Sequence, residues 1–239
     1  YDATTTQFTR VTTGTPAGRS SFNTSLSGDG TVVVFMSDAD FLGQGVPADH
    51  EEVWLYDTKT MQYTRVTSVT ESRHDYDPSL NADGTVVAFS SRNDLLNEGT
   101  GSHTEVWLYH TTTMTYTRVT SATDGNRYSR RPDLNADGTV VGFDSNSDLL
   151  MQGMPDTQTE VWLYDTGTTQ YTRVTTSSAA GRNSWEPSLN ADGTIVSFHG
   201  DSDFLNQGIV AGQYEAWLCD TGTMQHTRVT SATYDNRKV

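Results

Sequence analysis

Apolar residues along this chain fall in short runs of five or six, each bounded by glycine, asparagine, aspartate or threonine. Residues 85–90 (Thr-Val-Val-Ala-Phe-Ser) are nearly continuous in small and aromatic apolar side chains, which predicts a strand packed on both faces. Before it, Pro78-Ser79-Leu80 marks a first strand, and Ala82-Asp83-Gly84 supplies a turn whose glycine can take φ > 0. After it, Glu105-Val106-Trp107-Leu108-Tyr109 predicts a third strand, and a threonine-rich hairpin leads to a fourth over residues 116–120. No stretch sustains a 3.6-residue period, so almost no helix is expected.

The same order of runs returns four times. Thr-Arg-Val-Thr begins at Thr9, Thr64, Thr117, Thr172 and Thr227, in steps of 55, 53, 55 and 55 residues. The turn Asn-Ala-Asp-Gly-Thr begins at Asn81, Asn135 and Asn190, with Ser27-Gly28-Asp29-Gly30-Thr31 as an altered first copy. Glu-Val-Trp-Leu-Tyr begins at Glu52, Glu105 and Glu160, and becomes Glu-Ala-Trp-Leu-Cys at Glu215. A four-stranded unit of about 54 residues repeated in series predicts an all-β fold, a β-propeller of four blades in a single domain, 1–239. The repeats run approximately 13–67, 68–120, 121–175 and 176–230, with 1–12 left as an extra outer strand. A β-solenoid is the structural rival, but its coils are shorter and rarely joined by hairpins.

The pattern Pro-x-Leu-x-Ala-Asp-Gly-Thr-x-Val-x-Phe, followed by Trp-Leu-Tyr-Asp and then Thr-Arg-Val-Thr, resembles the WD40-like PD40 repeat of TolB-type propellers. The resemblance covers nearly the whole chain and implies the propeller fold. Such blades occur in periplasmic scaffold proteins, peptidase companion domains and secreted proteins, so the resemblance implies no functional residue.

The two ends are out of phase. Tyr1-Asp2 aligns with the end of a third strand, and Gln7, Phe8, Thr9, Arg10, Val11 and Thr12 repeat a fourth. With residues 226–230 that makes five fourth-strand candidates against four of every other kind. Either residues 7–12 close the last blade and release 226–230, or they remain over themselves. In both cases one strand is available to a neighbouring copy, giving a homo-oligomer or a filament. The alternatives are a partial fifth blade or a piece of a longer array. The start at Tyr1 rather than methionine fits a processed or excised product.

Polar residues also recur in register. One arginine column is Arg10, Arg65, Arg118, Arg173 and Arg228; a second is Arg19, Arg73, Arg127, Arg182 and Arg237. Carboxylates recur at Asp40, Asp94, Asp148 and Asp203, and at Glu52, Glu105, Glu160 and Glu215. The second arginine column and the aspartate column share a face of a propeller, so a repeated arginine–carboxylate clamp is expected there. The alternative use of this face is calcium held by Asp38 with Asp40 and Asp201 with Asp203; no other cofactor or metal is indicated. Trp54, Trp107, Trp162 and Trp217 recur in register and are assigned to packing between blades. Cys219, the single cysteine, is expected as a buried thiol in a strand.

Residues that differ between repeats are the better functional candidates. Just before the first strand these are Phe22-Asn23, Tyr76-Asp77, Arg130-Arg131 and Trp185-Glu186, with His74, Tyr128 and Asn183 nearby. A shallow ligand site built from Phe22, His74, Tyr76, Tyr128, Arg130, Arg131 and Trp185 is therefore a candidate. Catalysis is less favoured. The six histidines occupy different repeat positions and no nucleophile or metal-protease motif occurs, although a carboxylate pair for glycoside hydrolysis remains open.

Charge narrows the partners. Fifteen basic residues against thirty acidic ones give a net charge of −15, which argues against nucleic acid and against anionic membrane surfaces. No apolar run reaches membrane-spanning length, so no membrane insertion is expected. The threonine-rich surface and one sequon, Asn23-Thr24-Ser25, suit an extracellular, periplasmic or cell-surface setting. The chain thus reads first as a non-catalytic structural or assembly module that associates with itself. The alternative is a propeller that binds a glycan or protein ligand, and a hydrolase ranks third.

Overall fold

The computed structural model describes residues 6, 8–12, 18–47, 50–68, 75–99, 103–122, 127–177 and 181–231. Among these are sixteen strands in four antiparallel sheets, and no helix. The first sheet is β1 (Ser21–Leu26), β2 (Val32–Ser37), β3 (Glu52–Asp57) and β4 (Gln62–Arg65), paired in that order. The second comprises β5 (Asp75–Leu80), β6 (Val86–Ser91), β7 (Glu105–His110) and β8 (Thr115–Arg118). The third is β9 (Ser129–Leu134), β10 (Val140–Ser145), β11 (Glu160–Asp165) and β12 (Gln170–Arg173). The fourth is β13 (Ser184–Leu189), β14 (Ile195–Gly200), β15 (Glu215–Asp220) and β16 (Gln225–Arg228). These are the four propeller blades that the repeat predicts.

Each blade has two apolar faces because alternate residues of a strand point to opposite sides of its sheet. In the second blade, Val87, Phe89, Trp107 and Tyr109 pack against Val34, Val53, Leu55 and Val66 of the first. From the opposite face Ala88, Val106, Leu108 and Val119 meet Val141, Phe143, Trp162 and Tyr164 of the third. The same arrangement joins the third blade to the fourth, where Trp217 and Cys219 pack against Val161, Leu163 and Val174. Trp107, Trp162 and Trp217 are fully buried between blades, as expected, whereas Trp54 is fully buried on the outward face of the first blade, beside Phe35, Phe41 and Tyr56.

Three sets of hydrogen bonds tie neighbouring blades. The Gly28 N–H donates to the Ala82 carbonyl at 2.7 Å, Ala82 to Ala136 at 2.9 Å and Ala136 to Ala191 at 2.9 Å. Leu80 N–H donates to Ser25 Oγ at 3.1 Å, Leu134 N–H to Ser79 Oγ at 3.2 Å and Leu189 N–H to Asp133 Oδ2 at 2.7 Å. The phenols of Tyr116 and Tyr171 donate to the carbonyls of Val66 and Val119 in the preceding blade.

The repeated Thr-Arg-Val-Thr is a joint. Its arginine and second threonine bind a buried glutamate of the same blade, and its valine enters the interface with the next blade. Arg65 meets Glu52 at 2.6 Å, Arg173 meets Glu160 at 3.1 Å and Arg228 meets Glu215 at 2.6 Å; Arg118 stands 3.8 Å from Glu105. Thr67, Thr120 and Thr230 donate to those glutamates at 2.6, 2.5 and 2.5 Å, and Thr175 does the same to Glu160. Removing one partner of such a pair leaves a buried charge, at a cost of roughly 3–5 kcal/mol.

The second arginine column clamps its loop through other acceptors than expected. Arg19 donates to the carbonyls of Asp38 and Pro47 at 2.5 and 2.9 Å. Arg127 donates to Asn146 and Met154, and Arg182 to Asp201 and Ile209. The aspartates of the column are occupied by their own loop: Asp40 accepts from the N–H groups of Gln44, Gly45 and Val46, and Asp203 from those of Gln207, Gly208 and Ile209. Arg73 and Arg237 lie outside the described residues.

The surplus segment also differs from expectation. Phe8, Thr9, Arg10, Val11 and Thr12 form no strand, and the fourth blade keeps its own outer strand β16, paired to β15. Val11 instead packs against the first blade beside Phe35, Trp54 and Tyr56, and its carbonyl accepts the Tyr63 hydroxyl. It occupies the place that Val66 and Val119 take at the following interfaces. Among the described residues no third strand stands beside it, and its interface residue alone docks. Gln7 lies outside the described residues.

The four blades do not close on themselves. The first strand of each later blade packs on three strands of the blade before it, whereas β13, β14 and β15 make no such set with β1 among the described residues. Leu26 is 57% exposed where Leu80 is buried, and Val229 is 58% exposed where Val66, Val119 and Val174 are buried.

Candidate functional site

The inner strands β1, β5, β9 and β13 surround an open funnel of about 430 Å³ on the inner side of the arc. Each carries a bulge, with register breaks between Phe22 and Ser25, Tyr76 and Ser79, and Trp185 and Ser188, and a matching one in β9. A bulge turns one side chain out of the pleat. The turned residues are Asn23, Asp77, Arg131 and Glu186, with φ of +49°, +51°, +53° and +53°. Left-handed backbone at a non-glycine residue costs of order 1 kcal/mol, so every blade holds this conformation against its local preference. The preceding blade helps hold it: Arg131 N–H donates to Ser90 Oγ at 3.1 Å and Glu186 N–H to Asp144 Oδ1 at 3.3 Å. The backbone repeats, but the side chain it presents is different in every blade.

These side chains form a polar belt. Asn23 donates to Asp77 at 3.0 Å. Arg131 reaches Glu186 at 2.8 Å and Asp144 at 2.9 Å, and Glu186 lies 3.6 Å from His199 Nδ1. Burial pushes the Asp144 carboxyl up to about 6 against the opposing pull of Arg131 and Arg130. Asp77 is raised as well, by burial, with Arg131 and Arg130 again opposing.

An aromatic shelf adjoins the belt on the fourth blade. Trp185 lies 5.3 Å from Tyr214 and 5.5 Å from His199, ring centre to ring centre, and Tyr214 is 54% exposed. On the third blade the Arg130 guanidinium sits 4.1 Å over the Tyr128 ring, whose hydroxyl is 2.8 Å from Thr159 Oγ1.

The structure thus joins part of the set chosen from sequence. Arg131 belongs to the belt, Arg130 covers Tyr128 and Trp185 anchors the shelf. Tyr76 and Phe22 hold the matching register positions on β5 and β1, with Tyr76 half-buried and Phe22 exposed. His74 lies outside the described residues. Asp144, His199 and Tyr214 were not foreseen as site residues. For Asp144 and His199 the signal was available: Met36, Ser90, Asp144 and His199 fill one register position of the second strand and differ in every blade.

The carboxylates of the calcium alternative are engaged elsewhere. Besides Asp40 and Asp203, Asp38 accepts from Ser20 N–H at 2.7 Å, and Asp201 accepts from Asn183 and Gly212 at 2.7 and 2.8 Å. Among the described residues no three His, Cys, Asp or Glu side chains group as a metal site.

Solved structures share this architecture. TolB from Acinetobacter baumannii superposes with a TM-score of 0.57 at 18% identity, over 90% of this chain and 45% of that one. A putative TolB from Agrobacterium tumefaciens gives 0.58 at 15% identity, over 87% and 64%. A structure from a study of two prolyl endopeptidases gives 0.59 at 14%, over 90% and 29%. The likeness is one of propeller fold. No protein-family model matches the chain, and no curated protein sequence does. The chain spans between 29% and 64% of the length of these three structures.

Proposed function

We propose that the chain is a non-catalytic binding module of the PD40 type that takes a glycan at the mouth of the inner funnel. The observation that carries this reading is the combination of a blade-specific polar belt with a shelf of half-buried Trp185 and exposed Tyr214 beside Glu186 and His199. An aromatic face supplies apolar contact, and flanking carboxylate, imidazole and guanidinium groups supply directional hydrogen bonds, the mixture that orients a sugar in a shallow site. Glu186 and Asp144 are both tied to Arg131, which supports recognition rather than acid–base chemistry. A protein ligand would use the same shelf. The TolB likeness and the sequon support a periplasmic or extracellular setting, and the charge of −15 supports partners other than nucleic acid. Among the described residues no helix is long and apolar enough to cross a membrane.

A glycan array tests the reading, followed by calorimetry on the best binder. Trp185→Ala and Glu186→Gln should each weaken binding tenfold or more while leaving the thermal midpoint nearly unchanged. Retention of no glycan, or binding indifferent to both substitutions, refutes it. Residues 8–12 form no strand within the chain, so the strand-donation reading is not carried further.

A further inference from the structure

We propose that Arg130 is an anion-binding residue, so that the glycan taken at the funnel mouth is an acidic one, carrying a carboxylate or a sulfate. The inference rests on the glycan reading and names the class of sugar. Its basis is a guanidinium whose outer end makes no hydrogen bond. Six arginines lie in the described strands, and five of them give a terminal nitrogen to an acceptor in the protein. Arg65, Arg173 and Arg228 bind the buried glutamates, Arg118 donates to Ser121 Oγ at 2.9 Å and Arg131 to Glu186 at 2.8 Å. Arg130 alone of the six directs neither terminal nitrogen to a hydrogen-bond acceptor among the described residues, and its side chain is 40% exposed.

The side chain is nonetheless held in place. Its guanidinium lies over the Tyr128 ring, and its Nε stands 3.6 Å from Asp144 Oδ2. The residue beneath it is itself fixed: the Tyr128 hydroxyl is bonded to Thr159, and the Tyr128 N–H donates to Asn146 Oδ1 at 2.7 Å. Asp144 does not depend on Arg130 for a partner, because Arg131 meets it at the shorter distance of 2.9 Å. Glu186 likewise faces Arg131. Arg131 therefore engages the carboxylates of the belt, and Arg130 is a second cation with its edge open. A guanidinium offers paired N–H donors that match two oxygens of a carboxylate or sulfate. One already stacked on a fixed ring has less freedom to lose on binding.

This arrangement belongs to the third blade alone. Arg130 stands where the other blades carry Phe22, Tyr76 and Trp185, and Asp144 lies across the sheet from it where they have Met36, Ser90 and His199. The third blade is packed between the second and the fourth, so both walls of the site are made by described residues. Arg130 and Trp185 hold the same register position on adjoining blades, and Asp144 links them: its Oδ1 accepts the N–H of Glu186, the residue after Trp185.

Calorimetry on the full chain compares three panels of tetrasaccharides: hexuronic acid oligomers, sulfated hexose oligomers and neutral hexose oligomers. At least one acidic panel should bind tenfold or more tighter than the neutral one, and the panel that does so identifies the anionic group. Arg130→Gln should erase this preference without weakening the neutral panel. Arg130→Lys, which keeps the charge but loses the fork, should restore it only in part. Circular dichroism checks the fold of both variants, and the parent's preference is decisive without them. Neutral sugars bound as tightly as acidic ones overturn the assignment and leave the glycan reading standing. So does a preference for acidic sugars that survives Arg130→Gln. Retention of no sugar from any panel removes both.

Discussion

Asp75 opens the second blade where the other three blades have Ser21, Ser129 and Ser184, and it is fully buried. In the first and third blades that serine pairs with the serine across the sheet, Ser21 with Ser37 at 2.9 Å and Ser129 with Ser145 at 2.8 Å. Burial pushes the Asp75 carboxyl up to about 7; Ser91, Thr67 and Asn93 oppose the shift and Glu52 adds to it. A carboxyl raised in the folded state prefers its proton there. Its contribution to stability is intact below about pH 4 and is lost as pH rises to 7 and beyond. A shift of about three units corresponds to roughly 4 kcal/mol. Asp75→Ser removes that penalty and restores the serine pair, but forfeits the bond from Asn93, about 1 kcal/mol. The variant should therefore exceed the parent by roughly 3 kcal/mol at pH 8, some 6–12 °C in thermal midpoint for a chain of this size. At pH 4 it should be equal or slightly weaker. Urea denaturation at pH 4, 6 and 8 reads the effect directly. An equal difference between the two proteins at pH 4 and pH 8 would refute the reasoning, because packing alone would then account for it.

Two further outcomes probe the seams and loops. Gly30 and Gly84 share a left-handed φ, +72° and +75°, but a Cβ on Gly84 would lie 3.1 Å from Val32 of the first blade while one on Gly30 meets nothing within 4 Å. Valine at Gly30 should cost roughly 1–3 kcal/mol of backbone strain, and valine at Gly84 clearly more, as read by thermal denaturation. Arg127→Ala should lower the thermal midpoint equally with calcium or with chelator, since its partners are loop carbonyls; a neutral substitution in a protein that chelator destabilises would instead favour the calcium reading.

The propeller was legible because every blade must offer the same two faces to its neighbours, and that demand writes one sentence four times. Pairings hidden by topology were harder. Glu52 and Arg65 lie 13 residues apart on adjacent antiparallel strands, and their columns showed as two lists until the register of β3 with β4 joined them. The aspartate column misled because shared-face logic ignored a local claimant: an aspartate four and five residues ahead of loop N–H groups, as in Asp40 with Gln44 and Gly45, satisfies them first. The terminal copy misled for a related reason, since sequence similarity to a strand says nothing about whether a partner strand stands beside it. At the funnel, the variable positions just before the bulges were visible, but the left-handed turn that aims Asn23, Asp77, Arg131 and Glu186 inward was not. Propensity assigns no such conformation to arginine or glutamate; the packed neighbours impose it.

The joint at Thr-Arg-Val-Thr has a consequence for how such a chain changes length over generations. Each seam is made by nearest neighbours alone, and the segment that ends each blade is written identically at Thr64, Thr117, Thr172 and Thr227. Recombination between any two of these stretches would add or remove a whole number of blades and leave every remaining contact as it was. Blade number is then a heritable count, while the four inward-turned residues are free to diverge blade by blade.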